Sequence, residues 1–198
     1  MIRRGLVAGV ALLMLTALVG PAPMAQAGAP PTNGMIAFTT WQNGFVGMYT
    51  VNPDGSGMTE LARSRDASGG FPAWSPDGSK IAYFWRSPSG AMDIFTMNAD
   101  GSDITQLTDL HSYSRDPVWS PDGTKIAFVS FPADSSKYEI FVMNSDGSGL
   151  AQLTDLHSFW TDEPTWSPDG AKIAFSSHLS QLFTMNADGS GLTQITSN

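Results

Sequence analysis

The sequence predicts an all-β fold assembled from about four similar four-stranded units, the first of them incomplete. Three observations predict it. The stretch Pro164 to Phe175, reading Pro-Thr-Trp-Ser-Pro-Asp-Gly-Ala-Lys-Ile-Ala-Phe, recurs at Pro117 to Phe128 and at Pro72 to Tyr83. The tryptophans of the three copies, Trp74, Trp119 and Trp166, stand 45 and 47 residues apart, a period that marks stacked supersecondary units. The chain is also dense in turn formers, with 20 Gly and 13 Pro among 198 residues. These punctuate short runs rich in β-branched and aromatic side chains.

Taken in order, residues 1–27 read as a secretory leader. Arg3 and Arg4 give a positive start, Leu6 to Val19 is apolar but short for a membrane span, and Ala25-Gln26-Ala27 supplies a small-x-small cleavage pattern. An uncleaved membrane anchor is the competing reading. Residues 28–33 form a short Gly- and Pro-rich linker. The first unit, at 34–62, begins on what is the second strand elsewhere. It runs Met35 to Phe38, a tight turn at Asn43-Gly44, Val46 to Val51, the turn from Asn52 to Ser56, and Thr59 to Ala62. Asn-Gly suits such a turn because both residues accept φ > 0.

The second unit, at 70–108, is complete. Phe71 to Ser75 is followed by the Pro76-Asp77-Gly78 turn, where Pro presets φ and Gly takes the left-handed position. Ile81 to Trp85, Asp93 to Met97 and Ile104 to Thr108 complete it. The third unit, at 115–154, has a longer middle loop at Pro132 to Lys137, and the fourth, at 162–196, a short one at Ser177 to Ser180. A lone four-stranded sheet cannot bury both faces, so the units must stack, each as one blade of a β-propeller. The three tryptophans fall at equivalent points in the first strands. They read as packing between blades, where each buries ~200 Å²; stacking on a ligand is the other use of such a row.

Composition narrows function. The formal charge is −8, and removal of a leader carrying Arg3 and Arg4 leaves −10. That balance argues against nucleic acid and anionic membrane surfaces and permits cations, basic proteins and neutral glycans. There is no cysteine, which excludes disulfides, thiolate metal sites and a thiol nucleophile. No Gly-x-Ser-x-Gly elbow, His-Glu-x-x-His pair or phosphate-cradling loop is present. No cofactor is expected.

The repeated Pro-x-Trp-Ser-Pro-Asp-Gly-x-Lys-Ile-Ala-Phe, followed by Ile-Phe-x-Met-Asn-x-Asp-Gly-Ser and Gln-Leu-Thr, closely resembles the TolB-like (WD-like) propeller repeat. Full copies span 72–108, 117–154 and 164–196, and a partial copy spans 35–62. The resemblance implies a propeller, of six blades in most of the family. It also implies a protein-binding role like that of periplasmic TolB. Similar repeats occur in the propellers of prolyl-oligopeptidase-type peptidases and in oligogalacturonate lyases, so a peptidase's regulatory propeller and a carbohydrate-active enzyme stay open. The units here supply an open arc or incomplete ring. It would be part of a longer propeller, a four-unit ring, or a homo-oligomer in which a second copy completes the ring.

Three sets of residues are candidates for chemistry. The Asn-x-Asp-Gly-Ser turns at Asn52, Asn98, Asn144 and Asn186 resemble the start of a calcium loop but lack its downstream Glu, and fit self-bonded hairpins better. Asp77 and Lys80, Asp122 and Lys125, and Asp169 and Lys172 are placed for weak surface ion pairs. The third set is a duplicated loop, Leu107 to Ser112 and Leu153 to Ser158, both reading Leu-Thr-Asp-Leu-His-Ser. Tyr113 follows the first, and Phe159 and Trp160 the second; then come Asp116, and Asp162 with Glu163. In a propeller these loops share one face with Trp85, Arg86 and His178. That face would gather His111, Tyr113, Asp116, His157, Trp160, Asp162 and Glu163, the composition of a partner site. In extended chain Asp109 and His111 project to one side, as do Asp155 and His157, a pair able to hold a divalent metal. Asp162 and Glu163, adjacent on a strand, are expected to point to opposite faces.

The expectation is a secreted or periplasmic, non-catalytic module that binds a protein or peptide partner. Expressed with its leader, the exported protein should begin at Gly28. Intact mass of the exported form checks this, and a mass retaining residues 1–27 would show the anchor instead.

Overall fold

A computed structural model gives the architecture and describes residues 34–65, 69–131, 137–156, 161–177 and 181–196. The leader and linker assigned from sequence lie outside them. Blade 1 holds β1 (Ile36–Gln42), β2 (Phe45–Val51) and β3 (Thr59–Ser64). Blade 2 holds β4 (Gly69–Trp74), β5 (Lys80–Arg86), β6 (Met92–Asn98) and β7 (Thr105–Gln106). Blade 3 holds β8 (Arg115–Trp119), β9 (Lys125–Ser130), β10 (Glu139–Asn144) and β11 (Ala151–Gln152). Blade 4 holds β12 (Thr161–Trp166), β13 (Lys172–Ser177), β14 (Gln181–Asn186) and β15 (Thr193–Gln194). Each blade is an antiparallel meander, three-stranded in blade 1 and four-stranded in the rest. The fold is therefore all-β, with no closed sheet among the described residues.

The turns form for the reasons their residues suggest. Asn43 and Gly44 have φ of 53° and 79°, as the β1–β2 hairpin requires. In each Ser-Pro-Asp-Gly turn the aspartate works locally. Asp77 Oδ1 accepts from Ser75 Oγ at 2.6 Å and Ser79 N at 3.0 Å, and Asp122 and Asp169 do the same. These hydrogen bonds, led by the seryl hydroxyl, hold the three carboxyls below their ordinary range. The lysines are not committed to these aspartates: Lys80, Lys125 and Lys172 each donate Nζ to the Asn that ends the third strand, at 3.2 Å. That corrects the expected Asp–Lys pairing: the register of the second and third strands sets each lysine directly opposite the Asn it bonds. In the other turn Asp54, Asp100, Asp146 and Asp188 accept from the following Ser amide at 2.9 Å. These are self-bonded hairpins.

The outermost strands of blades 2, 3 and 4 are only two residues long, and a threonine extends them. Thr108 Oγ1 accepts from Ile94 N and donates to the fully buried Asp93. Thr154 does the same with Ile140 and Glu139.

The core is three clusters, one per blade junction. Met48 of blade 1 meets Ile81, Tyr83 and Met97 of blade 2. Phe84 and Ile94 of blade 2 meet Trp119, Ile126 and Phe128 of blade 3. Val129 and Ile140 of blade 3 meet Ile173, Phe175 and Met185 of blade 4. Each blade thus presents one face backward and the other forward. Trp119 Nε1 reaches back to donate to Ala73 O at 3.1 Å, and Trp166 Nε1 to Val118 O at 3.3 Å. The tryptophans are packing elements with one polar handle.

Trp119→Ala should cost about 3–5 kcal/mol in chemical denaturation, as for other buried aromatics. Trp119→Phe, which deletes the indole N–H and shrinks the ring system but keeps an aromatic plate, should cost about 2 kcal/mol. Equal losses in the two variants would show that the hydrogen bond, not burial, secures the junction.

Candidate functional site

The innermost strands break the alternation of a regular strand. Pairing with the second strand slips between Gly70 and Ala73, between Arg115 and Val118, and between Asp162 and Thr165. Inside each gap the residue before a proline is left-handed: Phe71, Asp116 and Glu163 have φ of 49°, 54° and 53°. Such a conformation costs a non-glycine residue roughly 1–2 kcal/mol. A bulge of this kind re-aims the side chains that follow. Asp162 and Glu163 both line one cleft, and the irregularity between Asp162 and Thr165 breaks the regular alternation on which the expectation of opposite faces rested. Gly70 makes room for its bulge: a Cβ there would lie 2.9 Å from Thr39 Oγ1.

The cleft encloses about 620 Å³ along the inner strands and draws on all four blades, among them Phe38, Phe71, Tyr113, Asp116, Asp162 and Glu163. One wall is aromatic. The Phe71 and Phe84 rings stack at 5.8 Å, and Phe84 meets Tyr113 at 6.4 Å. The other wall is charged. Arg115 Nη1 lies 2.9 Å from Asp116 Oδ2, while Nη2 is ion-paired to Asp162 Oδ1. The guanidinium also sits 4.5 Å over the Tyr138 ring. Burial pushes the Asp116 and Asp162 carboxyls above their ordinary range; Arg115 opposes the shift and the Glu163 charge adds to it.

The loop before β8 is pinned from below. Ser112 Oγ and Ser114 Oγ both bond Ser130 Oγ, at 2.8 and 3.0 Å. Ser114 N donates to Met92 O at 2.8 Å. This holds Tyr113 at the cleft and turns His111, at φ 51°, outward. His111 Nδ1 stands 3.3 Å from Asp109 Oδ1, both side chains exposed, so the expected pair does share one side. His111 does not line the cleft. Of the residues singled out from sequence, Tyr113, Asp116, Asp162 and Glu163 come together; His157, Phe159, Trp160 and His178 lie outside the described residues. Trp85 covers Gly69, and Arg86 donates to Gly90 O at 2.8 Å. Among the described residues no group of three His, Cys, Asp or Glu is placed to hold a metal. Sequence reasoning missed Arg115, Phe71 and Phe84. The one signal was the residue before the recurrent Pro72, Pro117 and Pro164.

The sequence family described as TolB beta propeller domain matches residues 29–132. No curated protein matches the chain. Solved structures are similar in fold. A protein assigned as TolB from Agrobacterium tumefaciens has a TM-score of 0.71 at 24% identity, over 81% of this chain and 60% of that one. A chain of the nidogen/laminin complex has a TM-score of 0.67 at 14% identity, over 85% and 62%. An oligogalacturonate lyase in complex with manganese has a TM-score of 0.60 at 17% identity, over 77% and 42%. This chain thus spans less than two thirds of the length of each, and at these identities the likeness shows the fold alone.

A carboxyl held above its ordinary range favours folding when protonated, and that contribution is lost as pH rises through its folded value. Arg115 offsets the loss. Arg115→Met should therefore be nearly neutral at pH 4 and destabilise at pH 7 by about 2–3 kcal/mol, less than a fully buried pair would. Paired melts at the two pH values check this, and equal losses would mean that Arg115 acts through packing.

Proposed function

This chain belongs to the TolB beta propeller domain family, and from that premise we propose that it is a secreted or periplasmic, non-catalytic module that binds a protein or peptide. The binding surface is the inner-strand cleft and the loop face beside it: Tyr113, Asp116, Asp162 and Glu163 in the cleft, His111 outside it, and, from their place in the duplicated loop sequence alone, His157 and Trp160. One observation carries the reading. Three equivalent strained bulges turn Phe71, Asp116 and Glu163 toward one cavity, and strain of this kind persists where the surroundings hold it in place and clusters at ligand sites. The cavity offers aromatic area on one wall and carboxylates on the other, the mixture that anchors protein segments. Likeness to a nidogen/laminin complex chain is compatible with such a role. Secretion rests on the leader pattern of residues 1–27.

A second reading has one observation in its favour. Asp116 and Asp162 are carboxyls raised by burial in a cleft, as a general acid would be. A carbohydrate lyase or hydrolase would use them so.

Tyr113→Ala with Glu163→Gln should lower retention of envelope proteins on the immobilised chain at least fivefold, as should His157→Ala with Trp160→Ala. Unchanged retention in both would remove the assignment. Turnover on a glycan panel, lost in Asp162→Asn, would establish the enzyme instead.

A further inference from the structure

We propose that the inner edge of blade 1 is a strand-accepting site whose occupant is an extended, basic peptide segment of a partner protein. The inference rests on the protein-binding reading above and adds the form and charge of the partner.

Blades 2, 3 and 4 each carry an inner strand, β4, β8 or β12, hydrogen-bonded to the second strand. Blade 1 has none among the described residues, so β1, which corresponds to β5, β9 and β13, pairs with β2 only. The consequence shows at one position of the repeat. Ile81, Ile126 and Ile173 are fully buried, whereas the corresponding Ile36 is 51% exposed. An unpaired strand edge is a row of free N–H and C=O groups suited to another strand.

The second observation is a single atom. Trp119 Nε1 donates to the carbonyl of Ala73 and Trp166 Nε1 to that of Val118. In both cases the acceptor is the residue just before the preceding blade's own tryptophan. For Trp74 the matching acceptor would lie on an inner strand of blade 1. Trp74 Nε1 is buried and, among the described residues, has no hydrogen-bond partner. A buried donor without an acceptor is unfavourable and rare. The open edge of β1 and the waiting indole N–H therefore mark one slot from two directions, and each asks for peptide backbone. Strand addition supplies it: a ladder to β1 and one carbonyl to Trp74.

Charge selects the occupant. Phe38 and Thr39 of β1 line the same cleft as Asp116, Asp162 and Glu163, with Arg115 the cation in that lining. A strand laid on β1 runs beside those carboxylates, and a Lys or Arg on it would be attracted. The fold already shows the arrangement once: Arg115, on the inner strand of blade 3, reaches Asp162 of blade 4.

The test uses the full exported chain and a synthetic peptide of residues 114–120 carrying Asp116→Asn, Ser-Arg-Asn-Pro-Val-Trp-Ser, the inner-strand sequence with its own arginine and no acidic side chain. Hydrogen exchange at residues 36–42 and peptide anisotropy are read together. Binding should slow exchange of the β1 amides. Trp74→Phe should weaken it about five- to tenfold, the worth of one hydrogen bond. Backbone N-methylation of the peptide should abolish binding, and an Arg115→Glu change in the peptide should weaken it. Binding that leaves β1 exchange unchanged and tolerates both Trp74→Phe and N-methylation overturns the strand site while leaving the cleft reading intact. No peptide binding alongside retained envelope partners does the same. Protection, before peptide is added, of the β1 amides that point away from β2 would show the chain's own N-terminal segment in the slot, and protection that grows with a doubled solution mass would show a second copy; either result overturns the proposal.

Discussion

A four-stranded sheet of short strands cannot shield its own two faces from water, and everything else in this chain follows from that. Blades 2 and 3 hide the backward face on the blade before and the forward face under the blade after. The tryptophan of the inner strand joins the two, adding large apolar area and one hydrogen bond to a backbone carbonyl. The repeat is therefore a junction repeat as much as a blade repeat. Its most constant residues, the Trp, the Ile of the second strand and the Met of the third, all lie in the clusters between blades.

Stacking also creates the cleft. Inner strands converge, and a converging set has room for few side chains. The chain meets this with a bulge at the same point of blades 2, 3 and 4, at the cost of a left-handed residue before each proline. What differs between blades is the residue put in that position. Phe71 supplies an aromatic plate, Asp116 a carboxylate tied to Arg115, and Glu163 a second carboxylate beside Asp162. One repeated backbone device thus yields a cavity with unlike walls. At the outer side of blades 2 and 3, buried hydrogen bonds from Ile94 N to Thr108 and from Ile140 N to Thr154 hold the chain beyond the last strands.

Blade 1 departs from the pattern in a way that matters for recognition. Among the described residues it has no inner strand, so β1 borders the cleft with one edge unpaired. There the indole N–H of Trp74 has no acceptor among the described residues.

Much of this was legible in residues alone. The strand count, the turns and the role of the tryptophans are local or periodic properties: Pro-Asp-Gly and Asn-Gly turn the chain wherever they occur, and a recurring Trp implies a recurring neighbour. Among the site residues, Tyr113, Asp116, Asp162 and Glu163 were visible because the loops that carry them are duplicated and rich in acids and aromatics. The pairing of Lys80 with Asn98 rather than Asp77 was not, because it depends on the register of the second and third strands. Nor were the company of Asp162 and Glu163, the bridging position of Arg115, or the exclusion of His111 from the cleft. Those depend on the left-handed residue inside each inner strand and on side chains brought from four blades to one axis, and no stretch of sequence contains that convergence. By itself the sequence determined the unit and its repetition; only the stacking of the units decided which side chains share a cavity.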